Sequence, residues 1–133
     1  MATKLMIVDD RADSRQLMRQ VAARPQDTVL EFASATEAVK ALGAFQPNCV
    51  MMGVSLPPPD AFPAIKRIRK TYPEMRVVAV SSVPDAGLRQ AARAAGATSY
   101  VSMENLSELY LLAAPERLAF TPIPSPKIRC RRK

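Results

Sequence analysis

The stretch Cys49-Val-Met-Met-Gly-Val54 is an uncharged, largely apolar run bounded by Pro47 and Pro57. A run of this length between turn residues is typical of a strand that is covered on both faces of a parallel sheet. Similar runs lie on either side of it in the chain, at about Lys4–Val8 and Arg76–Val80. We therefore predict that residues 49–54 form a central strand.

Apolar runs alternate with segments of helical period along the rest of the chain. Two further strands are predicted at about Thr28–Ala33 and Ser99–Val101, and Glu31 places the first of these at an edge. The predicted helices are about Ser14–Ala23, Ser34 or Thr36 to Ala44, Ala61–Thr71, Pro84–Ala95 and Asn105–Ala114. Five strands and five helices in alternation predict an α/β, doubly wound, five-stranded parallel sheet in the flavodoxin-like order 2-1-3-4-5.

Two of these helices carry more detailed expectations. The first is expected to be capped by Asp13 or Ser14 and to bury Leu17, Met18 and Val21. The third is expected to bury its isoleucines and to expose its cations, which are Ile65 and Ile68, and Lys66, Arg67, Arg69 and Lys70.

Length and charge divide the chain into one domain and a tail. The 133 residues suit a single domain, which we place at residues 1–119. Residues 120–133 form a Pro-rich basic tail that cannot bury a core and is predicted to be disordered. Five of the net seven positive charges lie there, on Lys127, Arg129, Arg131, Arg132 and Lys133.

No apolar run approaches the roughly 20 residues that span a bilayer, and the apolar start is too short for a signal peptide, so we expect a cytoplasmic protein.

Few residues are available for catalysis or for a structural metal. The chain has no histidine, which is the commonest general base and metal ligand. Its two cysteines, Cys49 and Cys130, are expected to be free thiols, one buried and one exposed. We therefore predict that the chain is not an enzyme.

Polar residues follow the predicted strands at the edge where parallel α/β sheets form their sites. Asp9 and Asp10 follow the first strand, and Ser81 ends the fourth. These pieces, in this order, resemble the receiver domain of two-component response regulators over about residues 3–115. The resemblance implies that Asp9 and Asp10, an acceptor aspartate and a backbone carbonyl at Ser55 hold Mg²⁺. It also implies that Ser81 hydrogen-bonds the phosphoryl group and that Tyr100 is an aromatic switch.

Two residues depart from the receiver pattern. Gly53 stands where the family has the aspartate that accepts the phosphoryl group, and Met103 stands where it has a lysine. The two losses are mutually consistent, because a lysine without its carboxylate partner would be a partly buried, unpaired charge. Asp60 and Ser55 are poor substitutes for the acceptor, since Asp60 follows three prolines and Ser55 corresponds to a backbone ligand in the family.

The acidic pair is then left without a matching cation. Two carboxylates at close range disfavour each other's charge unless a cation intervenes, and Arg11 is the nearest cation in sequence. We expect no cofactor beyond Mg²⁺ bound weakly by Asp9, Asp10 and Ser55.

Two functions remain open. The first is an atypical receiver that acts in signal transduction as a phosphorylation-independent protein-binding module. In receivers the usual contact face is formed by the fourth helix, the fifth strand and the last helix, which here include Arg89, Arg93 and Tyr110. The partner would be a second copy or a histidine kinase.

The alternative is the receiver part, or a relative, of a DNA-binding transcriptional response regulator. The basic tail would then be a linker or a contact to nucleic acid, and five clustered cations would bind phosphates without sequence specificity. A solubilising tail is the simplest interpretation of the same residues.

Overall fold

The structure, a computed structural model, describes residues 3–54 and 61–114. The predictions for Ser55, for Asp60 and for the tail with Cys130 lie outside these residues.

Five parallel strands form one sheet in the order β2-β1-β3-β4-β5, which confirms the predicted topology. The strands are β1 Lys4–Val8, β2 Thr28–Phe32, β3 Cys49–Val54, β4 Arg76–Ser81 and β5 Ser99–Ser102. All residues of β3 except Gly53 are buried, and β3 pairs with β1 on one side and β4 on the other. β2 lies at an edge, as predicted from Glu31.

Helices cover both faces of the sheet. They are α1 Ala12–Ala22, α2 Ala35–Phe45, α3 Ala61–Thr71, α4 Ala86–Ala95 and α5 Leu109–Ala113. One core layer joins the sheet to α2, α3 and α4, and the other joins it to α1 and α5. This arrangement leaves the carboxyl ends of β1, β3 and β4 side by side. No helix in residues 3–54 and 61–114 is long and apolar enough to cross a membrane.

The start of α1 differs from the prediction. The helix begins at Ala12, and Arg11 is its N-cap residue without a side-chain cap hydrogen bond. Ser14 is buried, and Asp13 lies in the first turn, where its charge favours the helix dipole. Leu17 is 47% exposed, so its predicted burial is wrong, while Met18 is fully buried.

Arg69 is not part of a solvated face. It is half-buried, and its guanidinium donates to the backbone carbonyls of Gly96 (3.0 Å), Met75 (2.8 Å) and Pro73. Gly96 ends α4 with a φ of 116°, a left-handed conformation that favours glycine. Arg69 therefore ties the end of α3 to the end of α4.

The last two helices also start later than predicted. α4 is capped by Asp85, whose carboxylate accepts a hydrogen bond from the Leu88 amide at 2.9 Å. Met103–Glu108 forms a 3₁₀ segment before α5, and Asn105 inside it has non-helical dihedral angles. The 3₁₀ segment directly follows β5 and places Met103 at the carboxyl edge of the sheet.

Candidate functional site

A cleft of about 550 Å³ lies at the carboxyl edge of the sheet. It brings together Asp9 and Asp10 after β1, Gly53 at the end of β3, and Met103 after β5. Ser82, which follows β4, also lines the cleft, and nothing in the sequence singled it out.

Gly53 is in close contact with Asp9. A Cβ atom on residue 53 would lie 2.8 Å from the Asp9 Cγ and 3.3 Å from its Cβ, with Oδ2 nearer still. Gly96 is the glycine with positive φ among the described residues, so the backbone conformation does not require glycine at position 53. The Asp9 carboxylate fills the volume in which a side chain at position 53 would start, so any such side chain requires Asp9 to move.

The Asp9 carboxylate is half-buried and anchored to the backbone. Its Oδ1 accepts a hydrogen bond from the Arg11 amide at 2.9 Å. Burial raises the pKa of Asp9 above its ordinary value of 3.8, the Arg11 amide opposes this rise, and the charge of Asp10 adds to it. The Arg11 guanidinium bonds Asp13 at 3.1 Å. Arg11 therefore serves Asp9 mainly through its backbone amide.

Arg15 holds the same turn from the other side. Its Nη1 donates to the Asp9 backbone carbonyl at 2.7 Å, and its Nε donates to Glu31 on β2 at 3.2 Å. Arg19, one turn later on α1, also bonds Glu31, at 2.8 Å. The i,i+4 spacing of the two arginines was the available sequence signal for this arrangement.

Ser81 does not face the cleft. Its neighbours Val80 and Ser82 line the cleft, and Ser81 does not. Its Oγ lies 2.6 Å from the Val83 carbonyl and 2.6 Å from the Tyr100 hydroxyl. The Val83 carbonyl accepts from Ser81 and also lies 3.3 Å from the Tyr100 hydroxyl, and either hydroxyl can donate in the bond between them. The hydrogen bonds of the Ser81 hydroxyl are thus made to Val83 and Tyr100, neither of which lines the cleft.

Tyr100 is held on β5 by contacts on two sides. Besides its hydrogen bond to Ser81, its ring lies 5.0 Å from the Arg89 guanidinium, a cation–π distance. The ring is half-buried and packs against the core layer of α2, α3 and α4. The sequence pointed to Arg89 as part of the contact face and to Tyr100 as a switch, but it did not indicate the cation–π contact between them.

Met103 offers the cleft an apolar side chain in place of a charge. It is half-buried and packs against the core layer of α1 and α5 while lining the cleft. A thioether neither neutralises nor donates to an anion.

The donors in the cleft match a Mg²⁺ site incompletely. Within residues 3–54 and 61–114, no three His, Cys, Asp or Glu side chains are close enough to hold a metal ion. Asp9 and Asp10 are the carboxylates of the cleft, and one oxygen of Asp9 already accepts the Arg11 amide. Mg²⁺ bound here would neutralise the acidic pair, with waters completing its octahedral shell.

The model of the response regulator receiver domain family matches residues 5–111. The chain belongs to this family. Its fold, its acidic pair and its positions 53, 81, 100 and 103 can therefore be compared with those of receivers.

Relatives include a transcriptional regulatory protein and a chemotaxis protein. The chain is 30% identical over 99 residues to the uncharacterized transcriptional regulatory protein YhcZ of Bacillus subtilis, covering 73% of this chain and 46% of YhcZ. It is 26% identical over 102 residues to the chemotaxis protein CheY of the same organism, covering 76% of this chain and 85% of CheY. The receiver therefore spans about half the length of YhcZ and most of CheY.

A solved structure shows the same relationship. A two-component response regulator of the LuxR family from Aurantimonas sp. superposes with a TM-score of 0.73 and is 28% identical, covering 90% of this chain and 87% of that one. The chain is thus a receiver domain of the kind found in two-component signalling.

Proposed function

We propose that this receiver acts as a protein-binding module in signal transduction, without being phosphorylated. The observation that carries the proposal is the packing of Asp9 against Gly53. The acceptor position has no side chain, and the Asp9 carboxylate fills the space beside it.

The charges of the cleft support the same conclusion. Transfer of a phosphoryl group requires an available nucleophile and cations that neutralise the developing negative charge. Met103 supplies no ammonium, and Asp9 is half-buried with one oxygen bonded to the Arg11 amide. Among the described residues, a phosphodonor entering this cleft would meet the carboxylates of Asp9 and Asp10, and Arg11, the cation that lines the cleft, is paired with Asp13.

The proposed partner surface is the face of α4, β5 and α5. Arg89 and Arg93 are exposed on α4, and Tyr110 is half-buried on α5. Tyr100 lies between these helices on β5, bonded to Ser81 and stacked by Arg89. Since no phosphoryl group draws Ser81 away, the hydrogen bond persists, and partner binding sets the state of this face.

Two classes of protein fit this face, a second copy of the chain and a histidine kinase. We place the protein in the cytoplasm, where both would be met. Sedimentation of the purified chain at several concentrations distinguishes self-association from a dependence on another protein.

Mg²⁺ binding is proposed to be weak, in the millimolar range or above. One of the family's three side-chain carboxylates is missing, and affinity for hard cations follows the number and charge of the oxygen ligands. The remaining ligands would be Asp9, Asp10 and the Ser55 carbonyl. A Mg²⁺ titration followed by NMR measures the affinity, and micromolar binding centred on Asp9 and Asp10 would contradict the proposal.

Phosphodonor treatment tests the main proposal. The chain is incubated with acetyl phosphate and Mg²⁺ and then measured by intact-mass spectrometry, with the double variant Gly53→Asp/Met103→Lys as the matched control. We expect no adduct on the natural chain and partial modification of the control. A stable phosphoryl adduct mapped to the cleft of the natural chain would refute the proposal.

A second candidate function is favoured by one comparison. The chain covers 46% of YhcZ, whose name describes a transcriptional regulatory protein. This receiver would then regulate a DNA-binding partner or region, with residues 120–133 as linker or nucleic-acid contact.

Duplex DNA binding distinguishes the second function. The full chain and a chain ending at residue 119 are compared over a range of salt concentrations. A contact by the tail predicts binding that is lost on truncation and that falls with salt with a log–log slope of up to about −4.5 for five phosphates. Equal binding by the two chains would exclude the tail.

A further inference from the structure

The outward surface of α3 carries cations that the fold does not use. α3 has four basic residues and no acidic one. Arg69 clamps three carbonyls, and Lys70 lies in the last turn, where a cation interacts favourably with the helix dipole. Lys66 and Arg67 lie nearer the middle of the helix and have neither role. Lys66 is simply exposed to solvent, whereas Arg67 borders a groove.

This groove, of about 320 Å³, runs between α2 and α3. Its lining residues are Thr36, Val39 and Lys40 of α2, and Pro63, Ala64 and Arg67 of α3. Val39 packs against the core layer and Ala64 is only 8% exposed, so the floor of the groove is apolar. Lys40 and Arg67 are exposed at its borders.

The charge of the groove is of one sign. No carboxylate lines it, and Lys40 and Arg67 form no ion pair within residues 3–54 and 61–114. Arginines on α1 behave differently, since Arg15 and Arg19 are both paired with Glu31. The two groove cations are therefore available to an external anion.

We propose that the α2–α3 groove binds an acidic, amphipathic segment of a partner protein. Two of its carboxylates would pair with Lys40 and Arg67, and an apolar side chain between them would cover Val39 and Ala64. A nucleic-acid backbone would satisfy the cations but would gain nothing from the apolar floor. The basic tail of this chain has the wrong charge to fill the groove.

This surface is separate from the face of α4, β5 and α5. The groove is built from different helices, so a receiver that is bound through α4–β5–α5 keeps it accessible. The proposal therefore adds a second binding surface and does not depend on whether the cleft is phosphorylated.

The full chain is titrated with a synthetic peptide in which two glutamates lie one helical turn apart, on either side of two leucines. NMR shifts of the isotope-labelled chain locate the binding, with a glutamine-for-glutamate peptide as control. The variant Lys40→Glu/Arg67→Glu is compared with Lys66→Glu/Lys70→Glu, which makes the same change in net charge at two exposed residues that do not line the groove. Thermal melts verify that both variants fold.

We expect shifts at the groove residues, weaker binding as salt rises, and about tenfold weaker binding by the groove variant alone. Equal weakening in the two variants would mean that only net charge attracts the peptide. Absence of groove shifts at millimolar peptide, or tighter binding of a DNA oligonucleotide than of the peptide at the same residues, would overturn the proposal.

Discussion

Substituting Gly53 tests whether Asp9 has taken over the space of the missing acceptor. In Gly53→Asp, the new Cβ lies 2.8 Å from the Asp9 Cγ, so the Asp9 side chain must rotate away. Rotation breaks the 2.9 Å hydrogen bond from the Arg11 amide to Oδ1. The substitution also adds a third carboxylate beside Asp9 and Asp10.

The magnitude follows from these two effects. Forcing a side chain into packed space costs about 1–3 kcal/mol, and losing a hydrogen bond to a charged group costs about 1.5–3 kcal/mol. We expect Gly53→Asp to lower the free energy of unfolding by about 3–5 kcal/mol at neutral pH without metal. For a domain of this size that is a fall in Tm of roughly 10–20 °C.

The control variant Gly53→Ala separates space from charge. Alanine introduces the same Cβ without a carboxylate, so we expect it to be destabilised by the steric part and to be insensitive to Mg²⁺. Gly53→Asp should instead regain stability as Mg²⁺ is added, because the ion binds the folded state through three carboxylates. Adding Met103→Lys should restore further stability, since the ammonium pairs with the new carboxylate.

Urea and thermal melts of these variants, each in chelator and in Mg²⁺, measure the effects. Asp9→Ala is added to Gly53→Ala to form a double-mutant cycle, in which removal of the Asp9 carboxylate should relieve the steric cost. Coupling below roughly 0.5 kcal/mol in this cycle would show that residues 9 and 53 do not compete for space. A Gly53→Asp variant as stable as the natural chain in chelator would refute the reasoning outright.

Three further predictions concern other residues. The pKa of Asp9 is raised above 3.8 in the folded state, so its contribution to the free energy of unfolding is present below pH 3.8 and is lost as the pH rises through the folded pKa. The variant Asp9→Asn keeps an acceptor for the Arg11 amide and should flatten this loss in urea melts measured over a range of pH. A pH profile of stability that is unchanged in Asp9→Asn would contradict the assignment. The Asp27 side chain is fully buried, accepts a hydrogen bond from the Thr3 amide and pairs with Arg24. The variant Asp27→Ala should therefore lower the free energy of unfolding by about 3 kcal/mol in urea melts. A decrease below about 1 kcal/mol would show that the ion pair is dispensable. Arg69→Met keeps the stem but removes the donors to three carbonyls, and melts should show a loss of about 2 kcal/mol that Arg67→Met does not share.

Much of the fold could be predicted from local patterns. The bounds of β1, β3 and α3 match their predictions, and β2 lies at the edge that Glu31 indicated. These elements were readable because each is an apolar run or a helical period bounded by prolines or polar turn residues. Helix starts were less predictable, since any of several polar residues near Asp13 or Asp85 can cap a helix.

Individual side-chain environments were harder to predict. Leu17 and Arg69 both contradicted their helical pattern, because burial depends on which neighbouring element covers a helix face. Arg69 reaches Gly96, which is 27 residues away in the chain. No local period contains such a contact.

Residue identities and local periods were enough to predict the order of strands and helices, the acidic pair, and the absence of a carboxylate at position 53 and an ammonium at position 103. Those properties are carried by residue identity and by periods of two and 3.6 residues. The position of Asp9 beside Gly53 and the hydrogen bond of Ser81 to Tyr100 became apparent only in the folded chain. Each contact joins residues on, or directly after, two different strands, so its geometry arises only when the sheet brings those strands together.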